Sequence, residues 1–226
     1  EISGLNLKFK SVEVDISTPL SRFCDIETNE FEFHLKAPAI LPSKPSDNDL
    51  KSYEGVLVKA TEETLKEFLK THGSEVFYGL CFDCSAEYGT VQISMNTERE
   101  FEKTAANYVK DYNYSEQQIK DLKNNSGVWF FQGINHDYDF WTQCRDYEQK
   151  IEEYVFNRHI PSETSEQLVD EVLTMFTRGL LRFEQSEVFK KIKRTNDFKL
   201  IILDHEESFE DGLNRMTAVK EFMSLT

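Results

Sequence analysis

The sequence predicts an α+β (mixed α/β) protein: a central, mostly antiparallel sheet flanked by helices, with a β-rich N-terminal extension. Three observations predict it. Residues 1–43 alternate apolar and polar side chains with the period of half-buried strands. Several later segments carry apolar stripes at helical spacing. Three β-type runs, at 76–95, 128–131 and 198–204, lie between those helices and supply the central sheet.

In chain order, Leu5, Leu7 and Phe9 are followed out of phase by Val12, Val14 and Ile16, and then by Phe31, Phe33 and Leu35. Thr18-Pro19 and Thr28-Asn29 supply turns between these runs. Ala37–Asp49 holds three prolines and the polar run Ser46-Asp47-Asn48-Asp49, so it reads as a connector. The chain divides there into a β-rich segment or subdomain, 1–45, and a main α/β domain, 46–226.

Tyr53, Leu57, Ala60, Leu65 and Phe68 predict a helix over 50–71 that Gly55 weakens and Gly73 stops. Strands follow at Val76–Cys84 and Thr90–Met95, joined by Ser85–Gly89. Thr97-Glu-Arg-Glu100 and Ser115-Glu-Gln-Gln118 each have the form of a capping box opening a helix. Val128–Phe131 reads as a strand. The stripe Phe140, Cys144, Tyr147, Ile151, Tyr154 predicts one long amphipathic helix. Leu168, Val172, Met175, Phe176 and Leu180 mark the buried face of the next, and Phe198–Leu203 reads as a strand covered on both faces. A final helix carries Leu213, Met216, Val219 and Met223.

Composition narrows the function. Hydrophobic residues make up 39% of the 226, enough to build a core, and no apolar run approaches the ~20 residues of a membrane helix. The chain opens Glu1-Ile2-Ser3 without the basic and apolar pattern of a secretory leader, so a soluble, cytoplasmic protein is expected. Its formal charge of −15 repels phosphate backbones and disfavours nucleic acid as a partner, while it can steer a basic one. Cys24, Cys81, Cys84 and Cys144 are scattered through a chain large enough to fold without disulfides, so buried thiols are expected. Cys81-x-x-Cys84 lies on a strand, where positions three apart face opposite sides, and this argues against a shared metal.

Two clusters carry possible chemistry. Asp204-His205-Glu206-Glu207 follows the last apolar strand and Asp83 nearly ends another. Carboxylates from two such strand ends are placed to hold Mg²⁺, with His205 as a base, in a metal-assisted hydrolase. The competing reading is an acidic loop that charges the N-terminus of the next helix. In His136-Asp137-Tyr138-Asp139, Asp137 reads as a helix cap rather than a metal ligand. Nucleophile elbows, glycine-rich phosphate loops and zinc-protease motifs are missing from the sequence, and no cofactor is implied. The basic stretch Lys190, Lys191, Lys193, Arg194 reads as a solvated helix end. Trp129-Phe130-Phe131 with Tyr138, Phe140 and Trp141 is the densest aromatic block, suited to core packing or to a partner-facing hot spot.

Five features taken together resemble a bacterial family known as domain of unknown function 4303. They are the strand Phe77-Tyr78-Gly79-Leu80, the turn Tyr88-Gly89-Thr90-Val91, Asn96-Thr97-Glu98 opening a helix, the Trp129–Trp141 region, and the late strand Phe198–Asp204. The resemblance covers about residues 53–226 and implies no catalytic residues. Its analogy with small domains near toxin–immunity loci implies an inhibitor of a cognate protein toxin. A non-enzymatic acidic binding protein is therefore the expected function. Its candidate partner contacts are Asp204, Glu206, Glu207, Glu210, Asp211, Asp137, Asp139 and Trp141. A structural or housekeeping module is the further alternative.

Overall fold

A computed structural model describes residues 41–205 and 207–225, and those from Pro42 onward belong to one compact unit, Pro42–Thr226. The expected N-terminal strands lie outside the described residues. The remainder is α+β, with seven helices around a three-stranded mixed sheet among the described residues.

Helix α1 (Asp47–His72) begins earlier than the apolar stripe predicts. Ser46 Oγ accepts from the Asp49 N–H at 3.1 Å, and the Asp49 carboxylate accepts from the Ser46 N–H at 2.9 Å. The Ser-Asp-Asn-Asp run of the expected connector is thus a capping box, a device worth roughly 1 kcal/mol. Tyr53, Leu57, Ala60, Leu65 and Phe68 are buried, and Gly73 caps the C-terminus as expected. The buried face meets α5 (Ser162–Glu184), whose Leu168, Val172, Met175, Phe176 and Leu180 are also buried.

The sheet has the order β2-β1-β3. Strand β1 (Phe77–Ser85) pairs antiparallel with β2 (Thr90–Thr97) and parallel with β3 (Arg194–Asp204). Continuous burial from Phe77 to Phe82 reflects the central place of β1. In β3, Ile201 and Ile202 are buried but Phe198, Leu200 and Leu203 only partly so. This corrects the expectation of full cover, because β3 is an edge strand among the described residues.

A 3-10 turn, Ala86–Tyr88, and Gly89 join β1 to β2. Gly89 has φ +66°, and a Cβ there would lie 2.8 Å from Ile151 Cδ1, so both backbone and space require glycine. Tyr53 Oη donates to the Gly89 carbonyl at 2.6 Å, tying the turn to α1.

Helices α2 (Glu98–Tyr112) and α3 (Glu116–Lys123) follow the two predicted caps. Ser115 and Gln118 form the full reciprocal box, whereas at α2 only the Thr97 half forms. The Glu100 carboxylate turns instead to Arg99 and Lys103.

Two sequence expectations fail between 126 and 144. Val128–Phe131 is not a sheet strand: Ser126–Val128 is a 3-10 turn, and Phe131 forms only an isolated bridge to Met95. Ser126 is held by the Asp83 carboxylate, and Trp129 turns inward over Gly79, which leaves too few residues to extend the sheet. The stripe from Phe140 is not one helix either. Asp139–Cys144 is a 3-10 segment, and α4 spans only Arg145–Val155. Thr142 Oγ1 donates to the Asp139 carbonyl at 2.9 Å, and Trp141 Nε1 reaches Thr64 Oγ1 at 2.9 Å, pulling this stretch towards α1.

After α5, the short α6 (Glu187–Lys191) leads into β3, and α7 (Phe209–Leu225) folds back along it. Gly212 allows the close approach, since a Cβ there would lie 2.5 Å from the Ile202 carbonyl oxygen. Lys190, Lys191, Lys193 and Arg194 are exposed, as expected of a solvated stretch, and the Arg194 guanidinium also lies 4.4 Å from the Phe189 ring centre and 5.6 Å from that of Phe198.

Candidate partner-binding surface

The sequence singles out the carboxylates at the strand ends. Cys84 is in register with Asp204, so those two side chains share a face, and Asp83, one residue earlier on β1, points to the other. Each carboxylate is already engaged. Asp83 accepts from Ser94 Oγ at 2.6 Å, from Ser126 Oγ and from Cys81 Sγ at 3.3 Å, locking β1, β2 and the 126–128 turn together. Asp204 accepts from the Ala86 N–H at 2.9 Å. His205 is exposed. Among the described residues no group of three or more His, Cys, Asp or Glu converges to metal-binding distance. The register therefore does not bring the Asp83, Asp204 and His205 set together.

Glu207 and Asp211, which follow β3, serve the fold. Glu207 forms a two-pronged ion pair with Arg215, which also donates to the Ile202 carbonyl at 3.0 Å and so closes part of the β3 edge. Ser208 Oγ accepts from the Asp211 N–H at 3.1 Å and donates to its carboxylate at 2.5 Å, capping α7. Glu210 is exposed in the first turn of that helix. Glu206 lies outside the described residues. Asp137 and Asp139 are exposed next to β2, with β1 between them and the β3 acids. Asp137 ends a 3-10 turn, Ile134–Asp137, and caps no helix, a correction to its expected role. Trp141 is 9% exposed and belongs to the core. Among the described residues, the candidates on either side of β1 thus do not share one face.

A different set of residues converges. The Tyr88-Gly89-Thr90 turn, helix α4 and the start of α5 border three adjoining clefts. The first, of ≈ 380 Å³, is lined by Thr90, Arg145 and Glu148, and includes Asp139 and Trp141 of the sequence candidates. The second, of ≈ 890 Å³, shares Thr90, Arg145 and Glu148 and adds Tyr88, Glu152, Glu153 and Phe156. The third, of ≈ 660 Å³, shares Phe156 and Asn157 and adds Glu87, Arg158, Glu166 and Asp170. Phe156 forms the ridge between the last two.

Two features distinguish this track. Tyr88 and Phe156 pack ring against ring with centroids 4.8 Å apart, yet remain 45% and 51% exposed. Around them the second and third clefts hold six carboxylates (Glu87, Glu148, Glu152, Glu153, Glu166, Asp170) against the guanidiniums of Arg145 and Arg158. Among the described residues none of the six has an ion-pair partner within 4.0 Å. By contrast, Glu54, Glu98 and Glu207 are each neutralised by a neighbouring cation. Glu148 is half-buried, and burial raises its pKa, while the nearby Tyr53 hydroxyl and Arg145 partly offset the rise.

The chain matches the family model described as domain of unknown function (DUF4303) over residues 57–220. It belongs to that family. The match includes the Tyr88-Gly89-Thr90 turn and all of α4 and α5, so the track lies within the DUF4303 region. No curated protein and no solved structure matches the chain. No helix among the described residues is long and apolar enough to cross a membrane.

One sequence signal pointed to the track. Phe156 falls just beyond the apolar stripe of α4 (Tyr147, Ile151, Tyr154), so a large aromatic ring stands off the buried face. Tyr88, in the β1–β2 turn within the matched region, is the other half of the pair. Nothing in their spacing, 68 positions apart, joins them.

Proposed function

We propose that this DUF4303 protein is a non-enzymatic acidic binding module that captures a basic protein partner, as an immunity protein captures its cognate toxin. The observation that supports it is the exposed Tyr88–Phe156 pair set between two clefts whose six carboxylates have no ion-pair partner among the described residues. Aromatic rings are the side chains most often found at the energetic centre of interfaces. Carboxylates without an ion-pair partner among the described residues attract a basic surface from a distance and accelerate encounter. The surplus of acidic residues in the chain as a whole acts in the same direction.

The test is association with the protein encoded by the adjacent gene, followed by gel filtration and stopped-flow mixing. The expected result is a stable complex whose association rate falls as salt rises, and falls further when Glu152, Glu153 and Glu166 are changed together to Gln. Cells producing the DUF4303 protein should survive that gene product. Full sensitivity of such cells, with no complex formed, removes the proposal.

A further inference from the structure

We infer that the track reads arginine: the partner presents an extended segment whose guanidinium stacks on the Tyr88–Phe156 pair and is held by the flanking carboxylates. The inference rests on the basic-partner reading above and adds the chemistry of the contact.

The shape of the site favours an extended occupant. Successive clefts share residues, Arg145 and Glu148 between the first two and Phe156 and Asn157 between the last two, so they form a continuous furrow and not a single pit. A chain lying along it meets Phe156 midway. There the occupant encounters two exposed aromatic rings tilted 39° to one another.

Charge and ring geometry together select the side chain. A neutral apolar anchor fits the rings but brings no cation to the carboxylates around it. An ammonium satisfies the charge but stays strongly hydrated and presents no flat surface. A guanidinium does both: its plane lies against an aromatic face while its forked N–H groups reach carboxylates two at a time. Elsewhere in the same molecule the Arg194 guanidinium lies over the Phe189 and Phe198 rings, which shows the ring half of such a contact. Among the described residues no cation lies over Phe156 or Tyr88, whose rings are 51% and 45% exposed.

The test uses fluorescence polarisation of short Gly/Ser peptides carrying several Arg, several Lys or several Glu residues, titrated with the full chain. The Arg peptide should bind more tightly than the Lys peptide, with an affinity that falls as salt rises, and the Glu peptide should not bind. Because both rings are exposed, Phe156→Leu and Tyr88→Leu leave the fold intact. Each should weaken the Arg peptide about threefold, the loss expected of one exposed cation–π contact, and affect the Lys peptide less. Phe156→Trp should strengthen Arg binding. Equal Arg and Lys affinities, unmoved by Phe156→Leu but lost when Glu152, Glu153 and Glu166 become Gln, overturn the arginine reading and leave the acidic binding surface standing. No salt-sensitive binding of either basic peptide overturns both.

Discussion

The indole of Trp129 fills the space beside Gly79, so close that a Cβ on residue 79 would stand 2.6 Å from Trp129 Cη2. Gly79 sits on the central strand beside the register irregularity between β1 and both its neighbours. Trp129 Nε1 donates to the Lys123 carbonyl at 3.1 Å, and Tyr78 packs edge-on against the ring, so the indole has little freedom to retreat.

Gly79→Ala should therefore destabilise the protein by about 2 kcal/mol, the usual scale of an overpacked core position. Urea unfolding checks it: the midpoint should fall with an unchanged slope, accompanied by altered tryptophan emission. An unchanged midpoint would mean that the indole shifts freely.

The buried Glu54 gives a second prediction. Its side chain is 2% exposed and lies between Arg178 Nε and Arg182 Nε, each at 2.9 Å. Only the Arg178 contact is an aligned hydrogen bond; Glu54 Oε1, the atom facing Arg182, lacks one. Arg178→Ala should thus cost about 2–3 kcal/mol by stranding a buried charge, and Arg182→Ala, which removes a more exposed cation, clearly less. The double variant Glu54→Leu/Arg178→Met should recover most of the loss. Equal losses from the two Arg→Ala variants in urea unfolding would contradict this assignment.

Glu148 gives a dependence on pH. Its pKa is raised above the ordinary 4.5, chiefly by burial, so between the two values the folded state binds more protons than the unfolded state. Stability then declines as pH rises from about 4.5 through the raised value, and levels off above it. Glu148→Gln should remove that decline. The variant should be more stable than the native protein at neutral pH, with the advantage vanishing below pH 4.5. Unfolding free energies of both proteins, measured across this range, decide it, and a difference that does not change with pH would refute the burial argument.

Much of the local structure was legible in the residues themselves. The α1 and α5 stripes, the β1–β2 hairpin and the Ser115 capping box depend on side chains a few positions apart, whose relation is set by helical or strand period. Even the start of α1 was written in Ser46 and Asp49, although their polarity gave them the look of a connector. The break at Asp139–Cys144 was not legible, because it depends on Trp141 reaching Thr64, 77 positions away.

The candidate site follows the same division. The sequence by itself determined that the chain is acidic, that Ser85–Gly89 joins two strands, and that Phe156 lies just beyond the apolar stripe of α4. Only the tertiary structure decided that Asp83 and Asp204 face opposite sides of the sheet, that Glu207 is spent on Arg215, and that Tyr88 meets Phe156. The physical reason is range. Periodicity and capping act over one or two turns of backbone, whereas a site assembled from 87–90, 145–158 and 162–170 exists only once α4 and α5 pack around the Gly89 turn.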